Sequence, residues 1–181
     1  MSSFVESNWY VIQVFESHEE EIKNKCLDYI SRDILSFAFV PRREKLVKHK
    51  KKWVTILETI FPSYIFLETD DIKALYIEIR KISDFKKFIG KDDDFIHPIY
   101  EFEKQSLLKY VDEEYIARLS KGLKDGDEII IIEGPLVDNI GNIKRIDRKK
   151  RKAIVEVEII GQIVEIELGL ELITKSDNIE D

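Results

Sequence analysis

The first two thirds of the chain alternate between apolar runs typical of strands and amphipathic segments typical of helices. Residues Asn8 to Phe15 are rich in aromatic and β-branched side chains and predict a buried strand. Two further strands are predicted over Lys52–Phe61 and Tyr64–Glu68, with Pro62-Ser63 between them. Together with the intervening helices, these strands predict an α+β domain in which helices pack on a mostly antiparallel sheet.

Three helices are predicted from the spacing of apolar residues. Ser17 and Glu20 have the spacing of a capping box for the first helix, and either Asp70 or Asp71 can cap the second. Because Cys26 lies on the apolar face of the first helix, we expect it to be packed core and not a nucleophile. The apolar positions at helical spacing are Ile22, Cys26, Leu27, Ile30 and Ile34; then Ile72, Leu75, Tyr76 and Ile79; and finally Leu107, Leu108, Val111 and Tyr115.

From Gly126 onward the pattern changes to short strands alone. Residues Val155–Ile159 and Val164–Leu168 alternate apolar with acidic side chains, so each predicted strand has one face toward solvent. So short a segment can bury only a small core, which favours a compact five-stranded barrel over a sandwich. The segment from Ala117 to Asp125 has few apolar residues and is typical of a linker.

We therefore predict two domains, residues 1–116 and 125–176, joined by a linker over residues 117–124. The chain has 181 residues, a net charge of -7 and a single cysteine, which excludes an intrachain disulfide. It has no apolar run of the ~18 residues that a membrane span needs, and its start lacks the features of a signal peptide. We expect a monomeric, cytoplasmic protein with no membrane partner.

Positive charge is concentrated in two short segments of this acidic chain. Lys144 to Lys152 holds seven cations and one anion in nine residues, and Arg42 to Lys52 holds seven basic residues against Glu44. A polyanion such as nucleic acid would explain the first segment, and a solvated turn is the other explanation. Because predicted strands lie on both sides, its cations belong at the tip of a hairpin, where Asp147 can accept hydrogen bonds from nearby amides.

The residues give little support for catalysis or for a cofactor. His18, His49 and His97 lie in unrelated contexts, and the seven glycines do not form a phosphate-binding loop. The run Asp92-Asp93-Asp94 could bind a divalent cation, but consecutive carboxylates point in different directions and are more often solvated. We expect neither an enzyme nor a metal site.

Short motifs in both predicted domains resemble the NusG family of transcription elongation factors. The implied fold is the antiparallel sheet flanked by helices of the NusG amino-terminal domain, linked to a small all-β, SH3-like KOW barrel. Ser63 stands where the family usually has glycine, a mild change if the backbone there does not need a positive φ. The motifs are Trp9-Tyr10-Val11, Phe61-Pro62-Ser63-Tyr64-Ile65-Phe66, Phe88-Ile89-Gly90 and Pro98-Ile99 in the first domain, and Gly126-Asp127, Gly134-Pro135, Gly141, Ile146-Asp147 and Gly161 in the second.

The resemblance implies that the first domain binds the clamp helices of RNA polymerase through an apolar surface. Phe61 matches the family's polymerase-contacting phenylalanine, and Tyr64, Phe88 and Ile89 are further candidates; packing of all four in the core is the alternative. The basic run Arg42–Lys52 with Trp53 resembles a variable region of the family that lies near upstream or non-template DNA. A solvated hairpin is an equal interpretation of that run.

Within the family, the second domain resembles the specialised paralogue LoaP. Ile160-Gly161-Gln162 replaces the Phe-Gly-Arg of housekeeping members, and the basic segment and Leu168-Gly169-Leu170-Glu171 are LoaP-like. This resemblance implies a processive antiterminator that binds an RNA hairpin in a leader transcript. The alternative is a housekeeping-type elongation factor whose KOW domain is an adaptor for a ribosomal protein or a termination factor. The RNA-binding candidates are Lys144, Arg145, Arg148, Lys149, Lys150, Arg151 and Lys152, with Asn139 and Asn142 as neutral groups.

Overall fold

The structure, a computed structural model, describes residues 8–174. Its strands, in chain order, are β1 (Asn8–Val14), β2 (Phe37–Phe39), β3 (Arg42–His49), β4 (Lys52–Thr59), β5 (Tyr64–Thr69), β6 (Phe85–Phe88), β7 (Ile116–Ala117), β8 (Ser120–Asp125), β9 (Glu128–Glu133), β10 (Ile143–Asp147), β11 (Lys152–Ile159) and β12 (Gln162–Thr174). The α-helices are α1 (Glu19–Tyr29), α2 (Ile72–Ile79) and α3 (Glu101–Leu108), and a 3₁₀ helix covers Val137–Asn142. None of these helices has the length and apolar character needed to cross a bilayer.

The described residues group into two compact units, each made from two stretches of chain. The first unit contains residues 8–40 and 61–101, and the second contains residues 41–60 and 102–174. The hairpin β3–β4 and helix α3 therefore group with the carboxy-terminal strands and not with the predicted first domain. Residues 1–116 and 125–176 remain our prediction for the two regions that fold on their own.

The first unit has a four-stranded antiparallel sheet in the order β2-β5-β1-β6, with helices α1 and α2 packed against its core. Ile22 and Cys26 of α1 and Leu75 and Ile79 of α2 are fully buried against apolar residues of β1 and β5. Burial raises the pKa of the Cys26 thiol to about 12, so the thiolate is not formed near neutral pH. The expectation that Cys26 is packed core is confirmed.

The caps of the first two helices match the predictions in one case and not in the other. Asp71 caps α2, because its Oδ1 accepts a hydrogen bond from the backbone N–H of Ala74 at 2.9 Å. The capping box predicted for α1 is wrong: the N-cap is His18, whose side chain makes no capping hydrogen bond, and Ser17 has a positive φ of 69°. Acidic residues in the first turn of α1 instead favour its start through the helix dipole.

The third helix is shorter than its apolar spacing predicted. It ends at Leu108, and the chain then turns at Asp112, whose Oδ1 accepts hydrogen bonds from the backbone N–H groups of Glu114 and Ile116. Tyr115, which the prediction placed in the helix, has a φ of 57°. The local hydrogen bonds of an aspartate therefore compete successfully with continuation of the helix.

The second unit contains a five-stranded sheet in the order β10-β11-β12-β8-β9 and a three-stranded sheet in the order β4-β3-β7. Most neighbours are antiparallel, but β12 pairs with β8, and β3 with β7, in parallel. The short strands predicted after Gly126 thus lie in one sheet, but its remaining strand, β8, comes from the segment predicted as a linker. Closure of that sheet into a KOW barrel remains a prediction.

The segment predicted as a linker, residues 117–124, is largely strand β8. Ser120 is fully buried, and its Oγ accepts a hydrogen bond from the backbone N–H of Leu136 at 3.1 Å. A Cβ at Gly122 would lie 2.8 Å from Cγ2 of Ile129, so only glycine fits there without a shift of its neighbours. The small residues Ser120 and Gly122 of this segment are therefore closely packed, while Lys124 is exposed.

The turn between β4 and β5 needs a residue with a positive φ. Ser63 has a φ of 73°, its N–H donates to Oε1 of the buried Glu19 at 2.6 Å, and its carbonyl accepts from the N–H of Val14. The condition under which serine would be a mild replacement for glycine is therefore not met, because a side chain in the left-handed region clashes with its own backbone.

We predict that Ser63→Gly stabilises the protein by about 0.5–1 kcal/mol. The substitution relieves the strain of a side chain in the left-handed region, and this gain is partly offset because glycine gives the unfolded chain more conformational entropy. Urea denaturation followed by circular dichroism measures this change. Ser83→Gly is the matched control, since Ser83 is exposed and does not have a positive φ, and it should be neutral or destabilising. A loss of stability in Ser63→Gly would contradict the prediction.

Candidate nucleic-acid interface

The basic segment lies, as predicted, at the tip of the hairpin between β10 and β11. Asp147 at the end of β10 pairs with Lys152 at the start of β11, and its Oδ1 accepts the backbone N–H of Lys150 at 2.9 Å. That hydrogen bond, with the positive charges of Lys150 and Lys152, holds the pKa of Asp147 below its ordinary value. The aspartate therefore shapes the turn, and Arg148, Lys149 and Lys150 project into solvent.

The seven cations of the basic segment divide into those with a carboxylate partner and those without. Arg151 has no carboxylate at salt-bridge distance among residues 8–174, but its side chain is half-buried. Lys149 and Lys150 have none in that range either and are exposed, so they are the most available for an external anion. Arg145 is likewise exposed and makes no salt bridge within the described chain. The paired cations are Lys144 with Glu156 (Nζ–Oε2, 3.1 Å), Arg148 with Asp127 (Nη1–Oδ1, 3.9 Å) and Lys152 with Glu167.

The two asparagines predicted as neutral contacts lie in different situations. The side-chain amide of Asn139 donates to the carbonyl oxygen of Pro135 at 2.8 Å, inside the loop that contains the 3₁₀ helix. Asn142 is exposed at the end of that helix, just before β10. The donor group of Asn139 is therefore already used to hold its own loop, and Asn142 is the freer of the two.

The second basic run, Arg42–Lys52, forms strand β3, the turn that follows it and the start of β4. Lys48 pairs with Trp53 and His49 with Lys52, which leaves Lys50 and Lys51 as a two-residue turn with φ values of 45° and 68°. Two positive φ values are typical of the type I′ turn that joins antiparallel strands with the right twist. The run therefore forms a hairpin, and the choice between a DNA contact and a merely solvated hairpin stays a prediction.

The β3–β4 hairpin is docked on β12 by an ion-pair network and a close backbone approach. Arg43, with a side chain only 12% exposed, donates to Oε2 of Glu58, to Oε2 of Glu167 (3.2 Å) and to the backbone carbonyl of Glu167. A Cβ at Gly169 would lie 2.5 Å from the carbonyl oxygen of Glu44. The missing side chain at Gly169 thus lets β3 approach β12 within the second unit.

Docking of this hairpin brings the two basic segments together around one groove of about 440 Å³. The guanidinium of Arg151, from the β10–β11 tip, lies 4.5 Å from the centre of the Trp53 ring on β4. The two segments lie about 100 residues apart in the chain, and their meeting is not predicted by the sequence pattern. The hairpin docks through two residues of β12: Glu167, which bonds Arg43, and Gly169, which leaves room for the backbone of Glu44. The groove is lined by Arg43, Lys45, Leu46, Val47, Lys48, Trp53, Lys149, Lys150, Arg151, Lys152, Glu167, Leu168 and Gly169.

The two carboxylates of the network are held in their charged form. Burial of Glu58 opposes ionisation, but hydrogen bonds from Arg43 and Lys45 outweigh it and keep its pKa below the ordinary value. Burial opposes ionisation of Glu167 as well, and the hydrogen bond from Lys152 with the charge of Arg43 again lowers its pKa. The negative charges inside the groove are thus already neutralised by neighbouring cations.

The four residues predicted to contact polymerase do not form an exposed aromatic patch. Phe61 is 7% exposed and Phe88 is 3% exposed, and Tyr64 and Ile89 are half-buried. The ring of Phe61 lies 5.9 Å from that of Phe66, and the ring of Phe88 packs near Tyr76 and Phe85. For Phe61 the expected exposure is corrected, and for Phe88 the alternative of packing in the core is confirmed, because both rings complete aromatic clusters of the first unit. Their role toward polymerase remains a prediction.

The turn between β11 and β12, where the sequence departs from housekeeping members, is bonded to helix α3. The N–H of Gly161 donates to Oε1 of Glu103 at 2.6 Å, and the N–H of Glu158 donates to Oγ of Ser106 at 2.9 Å. Ile160 in this turn has a φ of 57°, which is uncommon for a β-branched residue. Two backbone N–H groups at and beside this turn are therefore bonded within the second unit, while Gly161 and Gln162 are exposed.

We predict that Glu167→Gln lowers stability at pH 7 but reduces the loss of stability on acidification. A carboxylate whose pKa is lowered by folding stabilises the protein fully when the pH is above the pKa of the unfolded chain, about 4.3. That stabilisation is lost as the pH falls through the lower pKa of the folded protein. Urea midpoints between about pH 7 and 3 measure this. The control is Glu128→Gln, an exposed glutamate without a salt bridge among residues 8–174. Equal acid sensitivity of Glu167→Gln and the unmodified chain would refute the prediction.

Comparison with known proteins gives a consistent assignment. The family model described as "Transcription termination factor nusG" matches residues 7–108. The chain is similar to the "Transcription termination/antitermination protein NusG" of Helicobacter pylori strain J99 (24% identity over 166 residues, 89% of this chain and 94% of that protein) and of Pasteurella multocida (25% over 174 residues, 93% and 95%). It shares its fold with the solved structure titled "Domain interaction in Thermotoga maritima NusG" (TM-score 0.54, 22% identity, 91% of this chain and 94% of that one). This chain belongs to the NusG family of transcription termination and antitermination factors.

Proposed function

We propose that this chain is a LoaP-like processive antitermination and elongation factor that binds a structured leader RNA through its carboxy-terminal strands and RNA polymerase through its amino-terminal domain. The observation that carries the proposal is the exposed basic tip, Arg148 to Lys150, on a protein with a net charge of -7. Bringing like charges together at one turn is unfavourable in the free protein. Phosphates bound there relieve that repulsion and release counterions.

Affinity and specificity have different sources in this proposal. Phosphate contacts by the tip lysines supply affinity and position, independent of sequence. Discrimination comes from the shape of the RNA and from loop or bulge bases within reach of arginine side chains or of Asn142. If the RNA places four or five phosphates on the tip, log K falls with log salt with a slope of roughly 3 to 4.5 in magnitude.

Binding of polymerase is proposed for the first unit, with Phe61, Tyr64, Phe88 and Ile89 as candidates. Of these, Tyr64 and Ile89 retain accessible surface, whereas Phe61 and Phe88 support the surface from beneath. Tethering to polymerase places the RNA-binding unit near the emerging transcript and raises its effective concentration there. An RNA site of modest affinity is then sufficient to recruit the factor, and upstream or non-template DNA is a further proposed neighbour.

The adaptor alternative, in which the carboxy-terminal strands bind a ribosomal protein or a termination factor, has less support. It would use the β11–β12 turn, where Ile160 replaces the phenylalanine of housekeeping members. The backbone N–H groups of Gly161 and Glu158 at that turn are already bonded to Glu103 and Ser106 of α3. Catalysis is not part of the proposal, since the residues that the RNA function needs are cations and not acid–base groups.

We predict that the double substitution Lys149→Ala/Lys150→Ala weakens binding of a structured RNA and reduces the magnitude of its salt slope by about 1.4 to 1.8. Each lost phosphate contact removes about 0.7 to 0.9 from that slope. Fluorescence anisotropy with a labelled RNA stem-loop, titrated at several salt concentrations, measures both quantities.

The matched control is Lys121→Ala/Lys124→Ala, which removes the same charge from β8 of the same sheet. Lys121 makes only a surface ion pair with Glu133, and Lys124 is exposed, so folding should be little affected. Equal loss of RNA affinity in both double variants would mean that net charge, and not the tip, governs binding. An unchanged affinity in Lys149→Ala/Lys150→Ala would remove the tip from the RNA site.

We predict that Tyr64→Ala weakens capture of RNA polymerase by roughly 5- to 30-fold, the effect of losing one aromatic anchor of an interface. Phe61→Ala is a poorer test, because emptying a buried aromatic site costs about 3–5 kcal/mol and damages the fold as well. Tyr29→Ala is the control, since Tyr29 is 77% exposed on α1. Equal capture of polymerase by Tyr64→Ala and Tyr29→Ala would exclude Tyr64 from the interface.

A further inference from the structure

The docked β3–β4 hairpin adds a second wall to the surface on which the basic tip lies. We propose that hairpin and tip form one composite RNA-binding groove, in which Trp53 stacks on an unpaired base while Lys48 contacts a phosphate across from Lys149 and Lys150. This inference rests on the proposed function, because it assigns further residues and a binding mode to the same RNA surface. It also reassigns the hairpin from DNA to RNA.

The geometry of the groove supplies the first argument. Arg151 is in the left-handed region, with a φ of 50°, and its guanidinium lies 4.5 Å from the centre of the half-buried Trp53 ring. Indole rings and guanidinium planes are the flat surfaces on which RNA-binding proteins stack unpaired bases. A base that takes the place of the guanidinium on the indole face keeps the ring covered and releases the charge of Arg151 for a phosphate.

The distribution of charge supplies the second argument. The carboxylates of Glu58 and Glu167 are compensated by Arg43, Lys45 and Lys152, as the ion-pair distances show. Lys48, Lys149 and Lys150 have no carboxylate at salt-bridge distance in the described part of the chain. The uncompensated charge of the groove is therefore positive on both walls. A concave surface lined by charges of one sign raises the local concentration of an oppositely charged ligand such as RNA.

The combination of a ring with flanking cations favours an unpaired segment of RNA over a continuous duplex. Bases inside an A-form helix are stacked on each other, and its major groove is too narrow for side chains to enter. Loop or bulge bases can be turned out onto an aromatic ring while the adjoining phosphates meet lysines. A groove of about 440 Å³ lies within the usual size of sites that hold small flat groups.

The test compares Trp53→Leu and Lys48→Ala with Lys149→Ala/Lys150→Ala in the full chain. The probes are a labelled RNA stem-loop with unpaired loop bases, the fully paired RNA duplex, and single-stranded DNA of the loop sequence. Trp53→Leu should weaken stem-loop binding by roughly 5- to 100-fold, the range for loss of one base stack, with a much smaller effect on the duplex. Lys48→Ala should reduce the salt slope by roughly 0.7 to 0.9. Lys73→Ala, on exposed α2 surface, is the matched control for charge.

A fluorescence measurement reports the stack directly. The chain has two tryptophans, and Trp9 is buried in the first unit with its indole N–H bonded to Oε2 of Glu68 at 3.0 Å. Stem-loop RNA should quench the emission of the unmodified chain, and Trp53→Leu should abolish that quenching while the Trp9 signal persists. Should Trp53→Leu lose its circular dichroism spectrum, Lys48→Ala decides the outcome through the salt slope.

The failures of the two proposals are distinguishable. If the tip variant weakens RNA binding while Trp53→Leu and Lys48→Ala match the unmodified chain, the composite groove is wrong and the proposed function stands. If all three variants bind the stem-loop like the unmodified chain, the RNA function itself fails. If Trp53→Leu and Lys48→Ala weaken only the binding of single-stranded DNA, the hairpin is a DNA contact and the inference is overturned.

Discussion

The contact of Arg43 with Glu58 and Glu167 is the interaction on which the arrangement of the second unit depends. It joins β3 to β12, although Arg43 and Glu167 are separated by more than half the length of the chain. The two strands can come this close because Gly169 leaves room for the backbone of Glu44. Breaking a partly buried pair of this kind leaves uncompensated carboxylates, so the network favours the docked hairpin over an undocked one. The basic groove exists only while this hairpin is docked.

The same network explains how an acidic protein maintains a basic surface. Acidic side chains of β4 and β12 neutralise the cations nearest the strands, and the cations at the two hairpin tips keep their charge for solvent or a ligand. Within the groove, Arg43, Lys45 and Lys152 are thus paired, whereas Lys48, Lys149 and Lys150 have no carboxylate at salt-bridge distance in the described part of the chain. Asp147 shapes the tip by accepting the backbone N–H of Lys150, and its negative charge offsets part of the positive charge there.

Family membership and local structure were accessible from the sequence because both depend on residues close together in the chain. Alternating apolar and acidic residues in β11 and β12 require one buried face, and Asp71 caps α2 through an amide three residues away. The predictions were wrong where packing against residues distant in the sequence overrode what the local residue types indicated. Small residues in β8 resembled a linker because their close packing partners are distant, and the aromatic residue Phe61 looked like surface although its ring completes a buried cluster.

The sequence by itself determined the family, the helix and strand pattern and the basic tip, since hydrophobic periodicity and turn chemistry act over a few residues. The tertiary structure alone decided that Trp53 lies beneath Arg151 and that Lys48 shares a groove with Lys149 and Lys150. Nothing in the spacing of these residues predicts their meeting, because it follows from the packing of β3 on β12 through the contacts of Arg43 and from the missing side chain at Gly169. Long-range proximity of this kind is set by packing, which a linear pattern does not encode.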